Sequence, residues 1–257
     1  MSDTVEFLGL RFAPIALAAA LDRIVARADE GAPFAYVVTP NVDHVVSLPR
    51  EYERRAPLYE TAWLTLNDSR ILEVLARRSG LALPACPGAD LTTALFDRID
   101  PAEPVIIVGG SEATIGGLQR RYKLTDVRWH APPMGLADTP AAIARAAQFI
   151  AAHRARFVFL ALGAPQQEMV AMAALERGDC SGVGLCIGAS LDFLAGVQRR
   201  APPWMRTQRL EWLHRLMREP GRLGRRYLRD GPAIFAIWRG WRKRQRAASR
   251  ASMTSRN

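Results

Sequence analysis

"FVFLALGAPQQEMV", residues 157–170, holds the pattern that decides the fold. Its opening positions are apolar without alternation, as in a strand buried on both faces. Gly163 and Pro165 then break the run, and Gln166, Gln167 and Glu168 begin a segment with helical spacing. Similar apolar runs recur along the chain: "AYVVT" (35–39), "WLTL" (63–66), "VIIVGG" (105–110), "VRWH" (127–130) and "GVGLCIG" (182–188). Amphipathic stretches such as "PIALAAALDRIVARADEG", "RILEVLARRSG" and "TPAAIARAAQFIAAHRA" separate them, two of these closed by Gly. Strand and helix in alternation predict an α/β fold, a mostly parallel sheet with right-handed crossovers and helices on both faces.

Ligands of such sheets bind beyond the carboxyl ends of the strands. Thr39 and Asn41 follow the first run, Asn67 and Asp68 the second, Gly109 and Gly110 the third, and Gly163 to Glu168 the fifth. Polar side chains and glycines therefore gather at one edge. "VIIVGGSEATIGG" is not Gly-x-Gly-x-x-Gly and lacks an acid about 20 residues on, which argues against a dinucleotide site. Its glycine pair reads as a tight strand-to-helix turn whose N–H groups could face a phosphate. Asp68 alone fits a helix N-cap as well as a catalytic carboxylate, and "LGAPQQEMV" fits a plain helix start as well as a site.

Composition sets outer limits. The 257 residues, 49% hydrophobic and 23% charged, suit a globular chain with a large core. Net charge is +10, but residues 197–257 hold 17 Lys and Arg against 3 Asp and Glu, so the rest is net −4. Such a block suits phosphate, nucleic acid or an anionic bilayer. Cys86, Cys180 and Cys186 show no metal-ligand spacing and read as reduced thiols of the cytoplasm. The four histidines are scattered, and no metal site or cofactor is expected. "PAIFAIW" falls far short of the roughly 20 residues of a spanning helix, and the N-terminus lacks the basic region of a signal peptide. Three regions are expected: an α/β core over 1–196, a basic helical appendage over 197–246 and a flexible tail over 247–257.

Five blocks in order resemble the WecG/TagA/CpsF family of bacterial glycosyltransferases: "VVTPNVDHVV", "NDSRILEVLARRSG", "PGADL", "LALGAPQQEMV" and "IGASLDFLAGVQRRAPPWMRTQRLEWLHRLMREPGRLGRRYL". That resemblance implies a Rossmann-like core and inverting transfer from a UDP-sugar to a saccharide on a polyprenyl diphosphate, giving a β-linkage in exopolysaccharide, capsule or wall polymer assembly. It implies Asp68 as the base, with Thr39, Asn41 and Gln167 in the donor pocket and Gly109, Gly110 and Gly163 lining it. Arg215, Arg222 and Arg225 are expected across the mouth, where guanidinium forks hold a diphosphate. Trp238 and Trp241, beside Arg239, Arg242, Lys243 and Arg244, are expected at headgroup depth on the inner face of the membrane.

This chain departs from the family pattern twice. Ser69 stands where the family usually has Gly, and Ala85 where it usually has an Arg assigned to the leaving phosphate; Arg70, Arg199 or Arg200 are the candidate substitutes. Those departures leave a second reading, an inactive relative serving as a membrane scaffold. A third, a basic nucleic-acid-binding module, conflicts with the Trp and Leu spacing of the tail and the lack of a recognition signature. Homo-oligomerisation is open, and no position selects among the donor sugars of the family, which include N-acetylmannosamine, N-acetylmannosaminuronate and glucose.

Overall fold

A computed structural model describes residues 4–29, 31–198 and 220–254, and in the last helix the side chains of 229–248. Six strands form one all-parallel sheet: β3 (Ala35–Val38), β4 (Leu64–Thr65), β5 (Val105–Gly109), β6 (Val127–His130), β7 (Phe157–Ala161) and β8 (Val183–Cys186). Their order is β4-β3-β8-β7-β5-β6. β7 and β8 lie inside the sheet, which is why their apolar runs do not alternate. β6 is an edge strand, and Trp129 on it is 36% exposed, so "VRWH" is not buried on both faces as its run suggested. "WLTL" contracts to two strand residues, and Trp63 instead lies under the guanidinium groups of Arg23 and Arg27.

A small antiparallel hairpin, β1 (Val5–Phe7) and β2 (Leu10–Phe12), precedes the sheet. Its signal in the sequence was only three residues per strand around Leu8–Gly9, whose positive φ values make the tight turn. Phe7 and Phe12 are fully buried, and burial of one such ring contributes roughly 1.5–3 kcal/mol.

The sheet divides two cores. On one side pack the hairpin, α2 (Val42–Ser47), α3 (Tyr52–Glu60), α4 (Arg70–Arg77), α7 (Pro140–Ala151), α8 (Gln166–Arg177) and α10 (Pro220–Thr254). On the other pack α1 (Leu17–Asp29), α5 (Gly88–Phe96), α6 (Glu112–Tyr122) and α9 (Ser190–Leu194). The chain thus leaves β3 and β7 toward one face, and leaves the intervening β8 and the neighbouring β5 toward the other. Divergent exits open crevices at the carboxyl edge.

The described part of the basic appendage is α10, which runs to Thr254 and docks on the first core. Trp241 is 8% exposed and meets Phe7 edge-on at 5.2 Å, while the Trp238 indole N–H donates to Ser79 Oγ at 2.8 Å. The two indoles expected at headgroup depth are therefore engaged with the core, because α10 has to bury its apolar stripe against something. Among the described residues, no helix is long and apolar enough to cross a membrane.

α6 and α9 approach unusually closely. Asp192 on α9 accepts from Thr114 Oγ1 at 2.7 Å, next to the Ser111 capping box that starts α6. A Cβ at Gly117 would lie 2.6 Å from the Ala195 carbonyl oxygen. Alanine favours a helix by about 1 kcal/mol over glycine, yet the clash outweighs that gain. Gly117→Ala is expected to lower stability by about 1–3 kcal/mol, read from urea unfolding; an unchanged or raised midpoint would contradict the close approach.

Candidate active site

Asp68 follows β4, and its side chain is not the cap of the next helix. Ser69 takes that role, its Oγ accepting from the N–H groups of Ile71 and Leu72 at 3.2 and 3.3 Å. Relieved of capping, Asp68 turns toward the start of α5. Its Oδ1 accepts from the Gly88 N–H at 2.7 Å, at the positive end of that helix. Its Oδ2 faces Asn41 Nδ2 at 3.4 Å. Buried Asn67 secures the geometry: its carbonyl accepts from Cys86 N–H at 2.7 Å, and its amide reaches Ser69 N–H and the Leu83 carbonyl. The loop leading to Gly88 is thereby tied to the end of β4.

Three side-chain oxygens face Gly88. A Cβ there would stand 3.2 Å from Thr39 Oγ1, 3.7 Å from Asp68 Oδ1 and 3.8 Å from Ser190 Oγ. Thr39, just past β3, donates to the Cys186 carbonyl at the end of β8 at 3.1 Å. Asn41 caps α2, with its Oδ1 accepting from Asp43 N–H at 3.0 Å. Across the crevice Gln167 is 4% exposed; its Oε1 accepts from Gly188 N–H and its Nε2 donates to Glu168 Oε1, both at 2.8 Å.

The expected residues fall into two groups. Thr39, Asn41 and Asp68 come together at the ends of β3 and β4, and Gln167 joins them through the loop after β8. Gly109 and Gly110 lie at the end of β5, about 19 Å from β4 at four strand spacings, so a ligand reaching both must be extended. Gly109 has φ 94°, and a Cβ on it would lie 2.5 Å from the Ala161 carbonyl. Gly163 at the end of neighbouring β7 has open space where a Cβ would be. Arg215 lies outside the described residues, as do Arg199 and Arg200 and the side chains of Arg222 and Arg225. Arg70 pairs with Glu73 Oε2 at 3.6 Å while Glu73 Oε1 accepts from Ala85 N–H at 3.3 Å, which draws a guanidinium to the Ala85 loop.

A family model described as the glycosyl transferase WecG/TagA/CpsF family matches residues 5–248. The chain belongs to this family. A WecG/TagA/CpsF-type transferase must bring a sugar donor and an acceptor to one place, and Thr39, Asn41, Asp68 and Gln167 gather at the edge where this fold class binds ligands. Among the described residues, no group of three or more His, Cys, Asp or Glu is arranged to hold a metal ion.

Glu168 lay in the polar run expected at the sheet edge but was assigned no role, and His44 was not among the expected site residues of this WecG/TagA/CpsF chain. A helix-opening acid reads as solvated, and a single His carries no spacing signal. Glu168 is in fact 1% exposed, with no hydrogen-bond partner for Oε2 among the described residues. Burial pushes its pKa from 4.5 to about 7, partly offset by the Gln167 donor and the Arg55 charge. The folded state therefore holds a proton that the unfolded chain releases at lower pH. Stability from this group is full below 4.5 and is lost as pH rises toward 7. Glu168→Gln is expected to gain on wild type by on the order of 3 kcal/mol between about pH 4 and pH 8. Denaturant unfolding of both proteins at each pH checks this, and parallel pH curves would contradict it.

Proposed function

We propose that this transferase is an inverting, UDP-sugar-dependent enzyme that builds a β-linkage onto a saccharide carried on polyprenyl diphosphate, with Asp68 as general base. The carrying observation is the setting of Asp68: a half-buried carboxylate at the sheet edge, aligned by a helix N–H and an amide, with the Thr39 and Ser190 hydroxyls gathered around the same glycine. Inversion needs a base on one side of the anomeric carbon and charge stabilisation of the leaving diphosphate on the other. In this reading Asp68 takes the proton of the attacking hydroxyl. Thr39, Asn41 and Gln167 orient the donor, and Gly109, Gly110 and Gly163 let the nucleotide lie close to the backbone.

The leaving diphosphate is assigned to guanidinium groups, Arg215, Arg222 and Arg225 with Arg70 in place of the Arg missing at Ala85, and no metal or other cofactor is invoked. The cationic row Arg239, Lys243, Arg244 and Arg246, exposed on α10, supports peripheral binding to anionic lipid at the cytoplasmic face of the membrane. Exopolysaccharide, capsule or wall polymer assembly is the corresponding process.

Asp68→Asn keeps the size and the Gly88 contact but removes the base, so turnover is expected to fall about 10²- to 10⁴-fold with an unchanged circular dichroism spectrum. Donors UDP-N-acetylmannosamine, UDP-N-acetylmannosaminuronate and UDP-glucose are each assayed against a lipid-diphosphate sugar, with and without EDTA. Retained activity in the variant refutes the base, and EDTA-sensitive turnover refutes the metal-free reading. Arg70→Ala is expected to lower kcat about tenfold or more, the scale of one charge-assisted contact. Wild-type kcat in that variant would remove Arg70 from the leaving-group machinery.

A further inference from the structure

Behind Asp68 a line of polar groups runs from the site into the core. Asn41 faces Asp68 through Nδ2, and its Oδ1 lies 2.9 Å from His44 Nδ1. The Asn41 backbone N–H also points at Nδ1, at 3.2 Å. His44 Nε2 lies 3.9 Å from Glu168 Oε1, in ion-pair range and roughly 1 Å from a hydrogen bond. The two contacts at Nδ1 require opposite proton placements. An Nδ1 carrying hydrogen donates to Asn41 Oδ1; a bare Nδ1 accepts the backbone N–H and sets its lone pair against Oδ1.

We propose that Glu168 is a positioning residue for the transfer reaction, acting through the tautomer of His44 to decide whether the Asn41 amide is held against Asp68. With Glu168 ionised, His44 is neutral with its hydrogen on Nε2, directed at Oε1. Uptake of one proton at Nδ1, with Nε2 and Oε1 closing by about 1 Å to hydrogen-bond distance, passes the Nε2 proton to Glu168, so an Nδ1–H and an O–H bond form and the Nε2–H bond breaks. Asn41 Oδ1 then accepts from both Asp43 N–H and His44 Nδ1–H, which locks the amide with Nδ2 toward Asp68. Loss of the proton leaves one donor and one repulsive lone pair, and the alignment of Asp68 loosens.

Among the described residues, the remaining titratable and charged groups around Glu168 do not supply this proton. Burial pushes the Tyr36 hydroxyl of β3, the Tyr59 hydroxyl of α3 and the Cys186 thiol of β8 upward, so all stay protonated through neutral pH. Arg55 of α3 is held by Glu51 and Ser47. Beside His44, Asp43 faces Arg229 of α10 at 3.8 Å. The position of the Glu168 change near pH 7 agrees with a line that shifts in the neutral range.

The role in transfer rests on the proposed reaction, but the proton line is testable without substrate. Imidazole ¹⁵N shifts of the full-length protein, with His44 assigned by His44→Gln, are followed between about pH 5.5 and 8.5. Hydrogen on Nδ1 at the acid end and on Nε2 alone at the alkaline end is expected, and Glu168→Gln is expected to abolish the change. A bare Nδ1 throughout, or the same transition in Glu168→Gln, overturns the proposal. In the transfer assay, wild-type kcat is expected to fall about tenfold on the alkaline side at constant KM for donor. Glu168→Gln, whose amide can still donate to Nε2, keeps the acid-side kcat and loses that fall. Glu168→Met, folded by circular dichroism, is about tenfold slower at every pH. Matching alkaline limbs in wild type and Glu168→Gln overturn the positioning role. Absence of turnover with every donor sinks the donor reading alone, since the ring spectra decide the proton line by themselves.

Discussion

The hydrogen bond from Gly88 N–H to Asp68 Oδ1, 2.7 Å long, is the contact on which the site depends. It joins the end of an edge strand to the first turn of a helix on the far face, across twenty residues of chain. A Cβ on its opening residue would stand 3.2 Å from Thr39 Oγ1, so the Thr39 side chain would have to give by a few tenths of an ångström. Asp68 could not make the bond if it had to cap α4. Ser69 frees it by supplying the cap itself.

Around that contact the topology does the rest. α2 and α9 leave adjacent strands toward opposite faces, so the backbone parts between β3 and β8 and exposes N–H groups and side chains at the carboxyl edge. Thr39 bridges the two strands there by donating to the Cys186 carbonyl. Gln167 plays the matching part from β7, holding the Gly188 backbone. Hydrogen bonds thus tie the strand ends together beneath the site, and a reaction governed by alignment requires such fixed positions.

Glu168 shows the opposite economy. A carboxyl with one oxygen unpartnered among the described residues is unfavourable in a core, and an apolar residue of similar volume would pack there more stably. Its presence next to His44 and Gln167, which both lead to the crevice, is consistent with stability yielded to function.

The sequence by itself determined the class of fold. Apolar runs, glycine stops and amphipathic intervals are local properties, each set by a few neighbouring residues, and they placed Thr39, Asn41, Asp68 and Gln167 at one sheet edge. It did not determine that β6 is half-exposed, that Trp241 seals a core, or that Gly109 lies four strands from Asp68. Those facts depend on strand order, which joins residues far apart in the chain. Tertiary structure alone decided that Asp68 does not cap α4, because among the described residues the donors that face its oxygens come from residues 41 and 88. Likewise only the fold buried Glu168: a helix-opening acid is solvated or hidden according to what packs over it, and among the described residues His44 of α2 faces it.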